Sequence, residues 1–178
     1  LEPEGLDPQP ADAMPHRGLA HRADGSPTAA AQRNYTDPDS HIMKSDGNLL
    51  QGYSCQAAVD GDHQVIVAMG VSNQPPDPEH LVPMLERTMA NTTQAPRTFI
   101  AVAAGCVAVG KMARKLRKKE GREIYARRKT IVEPVFGQTK EARGLRRFLL
   151  RGLAKVNGEW MLWGTTHNLN KLWRHLKK

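Results

Sequence analysis

The clearest pattern in the chain is the alternation at Tyr53, Cys55, Ala57 and Val59, set against Ser54, Gln56 and Ala58. A period of two is the mark of a strand with one buried face, and here it predicts a strand ending near Asp60. Gly61-Asp62 is a turn signal, and Gln64–Val71 (QVIVAMGV) is a second apolar strand, so the two predict a hairpin. Asp77-Pro78-Glu79 then opens a helix, with Asp77 as N-cap and Pro78 at the first helical position. Its apolar face is Leu81, Val82, Met84, Leu85 and Met89. Thr98–Ala104 (TFIAVAA) is apolar on both faces, as a buried central strand should be.

From residue 107 onward the pattern is helical and basic. Met112 and Leu116 face inward with Val109, and Gly121 divides the stretch into two helices. Glu159–Leu176 carries Trp160, Trp163, Leu169, Leu172, Trp173 and Leu176 at near-helical spacing. All three tryptophans of the chain lie there, and core packing accounts for them better than base stacking does. Residues 1–33, rich in Pro, Gly, Ala and Asp, hold almost no large apolar side chains. Such a segment cannot bury enough surface to offset its ordering entropy and reads as a disordered leader or linker. The foldable unit is 34–178.

Charge changes this picture. The 178 residues include 26 Lys+Arg and 18 Asp+Glu, a net +8. Ten of the basic residues fall between Lys111 and Lys129 with only Glu120 and Glu123 against them, so that one stretch holds the whole net charge. A second group, Lys140, Arg143, Arg146, Arg147 and Arg151, is offset by Glu141 alone. An isolated basic run is as well explained by a solvated helix face, but two runs in succession are the footprint of a phosphate-binding surface. No apolar run approaches the roughly 18 residues of a membrane span, and 1–33 has no apolar signal region. Cys55 and Cys106 cannot form a disulfide framework or a cysteine zinc site, so a reduced, cytoplasmic setting is expected.

Candidate chemistry concentrates in Tyr125–Arg147, YARRKTIVEPVFGQTKEARGLRR. Glu133 sits between the two basic groups, and Lys140 follows seven residues later, nearly two helical turns, which places both on one face. A carboxylate able to hold Mg²⁺ or Mn²⁺ would then share a surface with a lysine aimed at a phosphate. The competing reading is a capping box, in which Glu133 bonds the Thr130 backbone N–H and opens the helix. His63, His80, His167 and His175 show no ligand spacing.

Two long segments, NYTDPDSHIMKSDGNLLQGYSCQAAVDGDHQVIVAMGVSNQPPD and GREIYARRKTIVEPVFGQTKEARGLRRFLLRGLAKVNGEWMLWGTTHNLNKLW, closely resemble bacterial insertion-sequence transposases of the DDE type. The similarity covers about residues 31–175. Its most specific part is Tyr125 and Arg128 followed by Glu133 and Lys140, similar to the family's YxxR…ExxxxxxK signature with one extra residue between Arg and Glu. The resemblance implies an RNase H-like α/β fold, two catalytic metal ions (Mg²⁺ or Mn²⁺), and cleavage and joining of DNA strands. It casts Glu133 as the third catalytic carboxylate and metal ligand, and the signature together with the basic runs gives Tyr125, Arg127, Arg128, Lys140, Lys115, Lys118 and Arg143 as candidate DNA-binding residues.

The chain also departs from that family. Nothing upstream of TDPDS resembles the strand carrying the first catalytic Asp, and Asp7, Asp12 and Asp24 lie in the leader. Val102-Ala103-Ala104-Gly105-Cys106 puts Ala103 where the second Asp is expected. Only 30 positions separate Ala103 from Glu133, which resembles an internal deletion. Asp60, at the end of a strand, is the one substitute ligand on offer.

The expectation is therefore the C-terminal portion of a DDE transposase with a partial RNase H-like fold: a small mixed sheet flanked by helices and a helical basic C-terminal part. It should bind DNA at element ends, associate with itself or with intact transposase, avoid membranes, locate to the cytoplasm or nucleoid, and lack catalysis of its own. One carboxylate on a basic surface cannot hold two dications. A non-enzymatic basic DNA- or RNA-binding remnant is the alternative.

Overall fold

The structure, a computed structural model, describes Met14 and residues 20–29, 31–45, 48–74, 77–92 and 118–177. Two antiparallel hairpins come first. Strand β1 (His41–Ser45) pairs with β2 (Asn48–Gly52) in register from His41↔Gly52 to Ser45↔Asn48. Strand β3 (Ser54–Val59) pairs with β4 (Ile66–Ser72), Ser54 opposite Ser72 and Ala58 opposite Ala68. After Ala58 the register shifts, and Val59 opposes Ile66, leaving Val67 as a bulge. The β3–β4 hairpin is thus the one expected from the alternation, while β1–β2 was not anticipated. Both described sheets are antiparallel; Thr98–Ala104, expected as a third strand, lies outside the described residues.

The pleat of β3–β4 sorts side chains onto two faces, and each face carries helices. A 3₁₀ turn (Asp77–His80) leads into α1 (Leu81–Thr92), whose Met84 packs with Ala58, Ala68 and Met14 on one face. The buried residues of α1 are Met84 and Thr88, whereas Val82 and Met89, placed by the sequence on the apolar face, are 60% and 44% exposed. Met14, within the segment read as a leader, is buried in this cluster, and residues 20–29 make a local turn closed by a His21–Pro27 bridge.

On the other face, Ile66, Met69 and Val71 meet Val135, Val156 and Trp160. The last three come from α3 (Arg128–Gly137) and α4 (Leu153–Leu176). Trp160 stacks on Phe136 at 6.0 Å between ring centroids, takes Phe148 edge-on at 6.5 Å, and donates its indole N–H to Gln56 O at 3.0 Å. Gly164 lets α4 lie directly on the strand, because a Cβ there would run into the Met69 side chain.

Three features differ from the sequence reading. Helix α2 (Lys119–Ala126) runs through Gly121, and the break before α3 falls at Arg127. The helical C-terminal part is interrupted: a π-helical turn (Gln138–Ala142) follows α3, and 143–152 is irregular because Gly144 and Gly152 take φ of 75° and 85°. Trp173, expected in the core, is 57% exposed with Lys177 Nζ 4.6 Å from its ring centroid. Helix α4 outruns the strand it covers: its last bond to the hairpin is Lys171 to Gln64, and Leu172 and Leu176 beyond it are also exposed.

Gln64 locks the hairpin turn to both helices. Pro134 has no N–H to give the Thr130 carbonyl four residues earlier, so that carbonyl is free to accept Gln64 Nε2 at 2.7 Å. Gln64 Oε1 accepts Lys171 Nζ at 2.8 Å, and its backbone carbonyl lies 2.9 Å from His167 Nε2. These bonds hold Gln64 at a φ of 57°, a left-handed conformation that L-residues enter at some expense.

His167 is fully buried, and burial lowers its pKa below 6.5, with Arg143, Lys171 and Arg174 pushing the same way against the Gln64 carbonyl. It is held neutral, Nε2–H donating to Gln64. As pH falls through 6.5 the unfolded chain takes up a proton that the folded one refuses, so stability falls from there down to the lower folded-state pKa. We expect the urea midpoint of the wild type to drop between about pH 7 and pH 5 more than that of His167→Gln. Parallel pH profiles for the two proteins would contradict this.

Candidate functional site

Three residues of the sequence signature meet at the start of α3. Helices α2 and α3 are joined by Arg127 alone, itself in helical conformation, so Tyr125 and Arg128 stay nearly one turn apart. The Arg128 guanidinium lies over the Tyr125 ring, 5.3 Å from its centroid, with Nη1 3.4 Å from the phenol oxygen. Its Nη2 donates to Glu133 Oε1 at 2.8 Å. The capping box does not form: Thr130 already lies inside the helix, its N–H and hydroxyl both bonded to Arg127 O, and the Glu133 carboxylate turns to Arg128 instead.

The remaining sequence candidates are distributed as follows. Lys140 is carried on the π-helical turn and reaches toward Cys55, whose thiol burial pushes up to about 12 against the pull of that ammonium. Lys118 is exposed just before α2, and Arg127 is exposed beside the Gly61 turn. Arg143 is half-buried, with Nη1 enclosed and without a hydrogen-bond partner among the described residues. Asp60 closes its own hairpin turn, Oδ2 accepting the backbone N–H of His63 at 2.7 Å and of Asp62 at 3.2 Å. Ala103 and Lys115 lie outside the described residues.

The resemblance to DDE transposases implies a pair of divalent metal ions, which need several carboxylate donors. Glu133 is engaged by a guanidinium and Asp60 by two backbone amides and His63. Among the described residues no three His, Cys, Asp or Glu side chains come together as a metal group. The described residues therefore do not fit a two-ion centre.

What they do build is a groove of about 750 Å³ between β2–β3, the π-helical turn and the irregular segment 143–152. Phe136, Phe148 and Trp160 line it, and Lys140, Arg146, Arg147 and Arg151 supply its cations. Its cationic wall, although irregular, is firmly held. Glu159 of α4 accepts the backbone N–H of Leu149 (3.0 and 3.1 Å) and of Leu150 (2.9 Å). At the other end, Asp37 Oδ1 accepts Gly152 N–H at 3.0 Å and Tyr53 O–H at 2.6 Å, and Asp39 Oδ2 accepts Leu153 N–H at 2.8 Å. Gly152, the N-cap of α4, has no side chain to cap with, so two carboxylates from 114 and 115 residues earlier satisfy the helix start. Burial, and then the Asp37 carboxylate, raise the Tyr53 pKa, which keeps the phenol protonated and donating.

The sequence reading found the cations of this wall but not Asp37, Asp39, Tyr53 or Glu159, which position it. The one available signal was the pair of acids in TDPDS; nothing local tied them to Gly152. No described helix is long and apolar enough to cross a membrane.

Comparison with curated proteins and with solved structures gives no match. The family model of the transposase DDE domain, by contrast, matches residues 85–173. That span holds Tyr125, Arg128 and Glu133, the cationic wall of the groove and most of α4, and amounts to half of the 178 residues. The chain belongs to the transposase DDE domain family.

Proposed function

We propose that this chain acts on the DNA side of transposition, as a DDE-type transposase fragment that holds duplex DNA through 118–151 and does not cut it unaided. The β3–β4 hairpin with helices on both faces is consistent with part of an RNase H-like core. The observation carrying the proposal is the 2.8 Å hold of Arg128 on Glu133. A cation already occupies the one acid that the family signature supplies, and the cationic groove lies immediately beyond the same helix.

Mg²⁺ or Mn²⁺ would enter the Glu133 site only by displacing the guanidinium, and a dication held by a single carboxylate cannot bracket attacking and leaving oxygens. Incubation of supercoiled plasmid with the chain in Mg²⁺ or in Mn²⁺ should leave it unnicked, with Glu133→Gln giving the same result. Mn²⁺-dependent nicking that disappears in Glu133→Gln would refute the proposal. Preference for RNA over duplex DNA at matched salt would instead favour the RNA-binding alternative.

A further inference from the structure

Leu149 is 79% exposed and Leu150 48% exposed, side by side on the cationic wall. The Glu159 carboxylate clamps both of their backbone amides, so the tip is held outward by bonds that α4 anchors. Arg146 and Arg147 precede them and Arg151 follows, all exposed. Arg146 pairs with Glu141, but both side chains are about two-thirds exposed, so that guanidinium is readily handed to a phosphate. Of the neighbouring acids, Glu141 is on Arg146, Glu159 is on the tip amides, and Asp37 is on Gly152 N–H and Tyr53 O–H, so each acid near the three arginines is already bonded.

A rigid aliphatic pair flanked by arginines matches the chemistry by which apolar wedges enter DNA. The cations take the phosphates on either side of a step, and the wedge replaces stacking with its own apolar contact. Charge complementarity selects a duplex over a neutral protein groove as the occupant. We propose that Leu149 and Leu150 form a wedge that opens one base step of the DNA held by Arg146, Arg147 and Arg151. The proposal rests on the DNA-binding reading above.

The test uses two short duplexes, identical except for one central mismatch, and the full chain. A mismatch has already lost part of its stacking, so a wedge should favour it. Wild type is expected to bind the mismatched duplex about tenfold more tightly than the matched one. In the double variant Leu149→Ala, Leu150→Ala that ratio should fall to about one, while the salt dependence of binding stays unchanged. Both leucines are exposed, so the variant keeps the fold, which circular dichroism checks. As a second readout, 2-aminopurine in the matched duplex should brighten on binding wild type and not on binding the variant. Equal affinity of wild type for both duplexes, without brightening, would overturn the wedge and leave DNA binding standing. Absence of binding to either duplex would overturn both. If the leucine variant instead abolishes a concentration-dependent dimer with the ratio at one, the tip belongs to a second copy of the chain.

Discussion

Trp160→Ala should destabilise the protein by about 3–5 kcal/mol, a large share of the roughly 5–15 kcal/mol that holds a typical domain together. Trp160 is 4% exposed and sits where α3, α4 and β3 converge, against Phe136, Phe148 and the Gln56 carbonyl. Alanine removes the ring from both aromatic contacts and leaves a cavity that the two helices and the sheet cannot close independently. Trp160→Phe separates the two contributions. It retains most of the apolar contact but removes the indole hydrogen bond to the Gln56 carbonyl, an expected loss of about 0.5–1.5 kcal/mol. Urea unfolding followed by circular dichroism measures both variants. A loss under about 1 kcal/mol for alanine would mean that the three elements do not share one core.

The second large effect concerns DNA. Replacing Lys140, Arg146, Arg147 and Arg151 together by Ala should flatten the dependence of log K on log salt by about 3–4, since each phosphate contact contributes about 0.9. At about 0.1 M salt the affinity should fall on the order of 10³-fold. These side chains are exposed, so the fold survives the change. A control variant lacking Arg33, Lys44, Lys155 and Lys177, also exposed, loses the same charge away from the groove and should keep the steeper slope. If both variants flatten equally, binding reads net charge rather than the groove. Adding Lys118→Ala and Arg127→Ala would then map how far the footprint extends along α2; Arg128 is left in place because it holds Glu133.

The sequence carried local order well. Period-two alternation marks β3 and an apolar run marks β4, with ends off by one or two residues, and apolar spacing marks α1 and α4. The β1–β2 hairpin went unread although Asp46-Gly47 is a strong two-residue turn signal. Strand β2 buries almost nothing, with Leu49 and Leu50 both exposed, and of its described side chains β1 buries Met43 alone, so neither strand shows a run of alternating apolar residues. Gly121 looked like a helix stop but is tolerated inside α2, whereas the glycines that do interrupt helix, Gly144 and Gly152, stand at positive φ.

Within the candidate site, Tyr125, Arg128 and Glu133 were legible as a motif, and their mutual contact was not. Arg128 and Glu133 are five apart, outside the three- and four-residue spacings at which helix neighbours are sought. The Asp37–Gly152 and Gln64–His167 bonds join positions 115 and 103 residues apart, and no window of local sequence contains both partners.

The same distances set a timetable for synthesis. The apolar face of β4 is made about 100 residues before its cover: Ile66 bonds Asn168 across 102 positions, and Met69 waits for Gly164. At translation rates of about 5–20 residues per second, that face stands open for roughly 5–20 s on the ribosome. During that interval the β3–β4 residues lack their helical cover, and Ile66, Met69 and Val71 have only solvent or a neighbouring nascent chain to meet. Assembly of this protein is therefore a race between translation of the last helix and capture of an uncovered sheet.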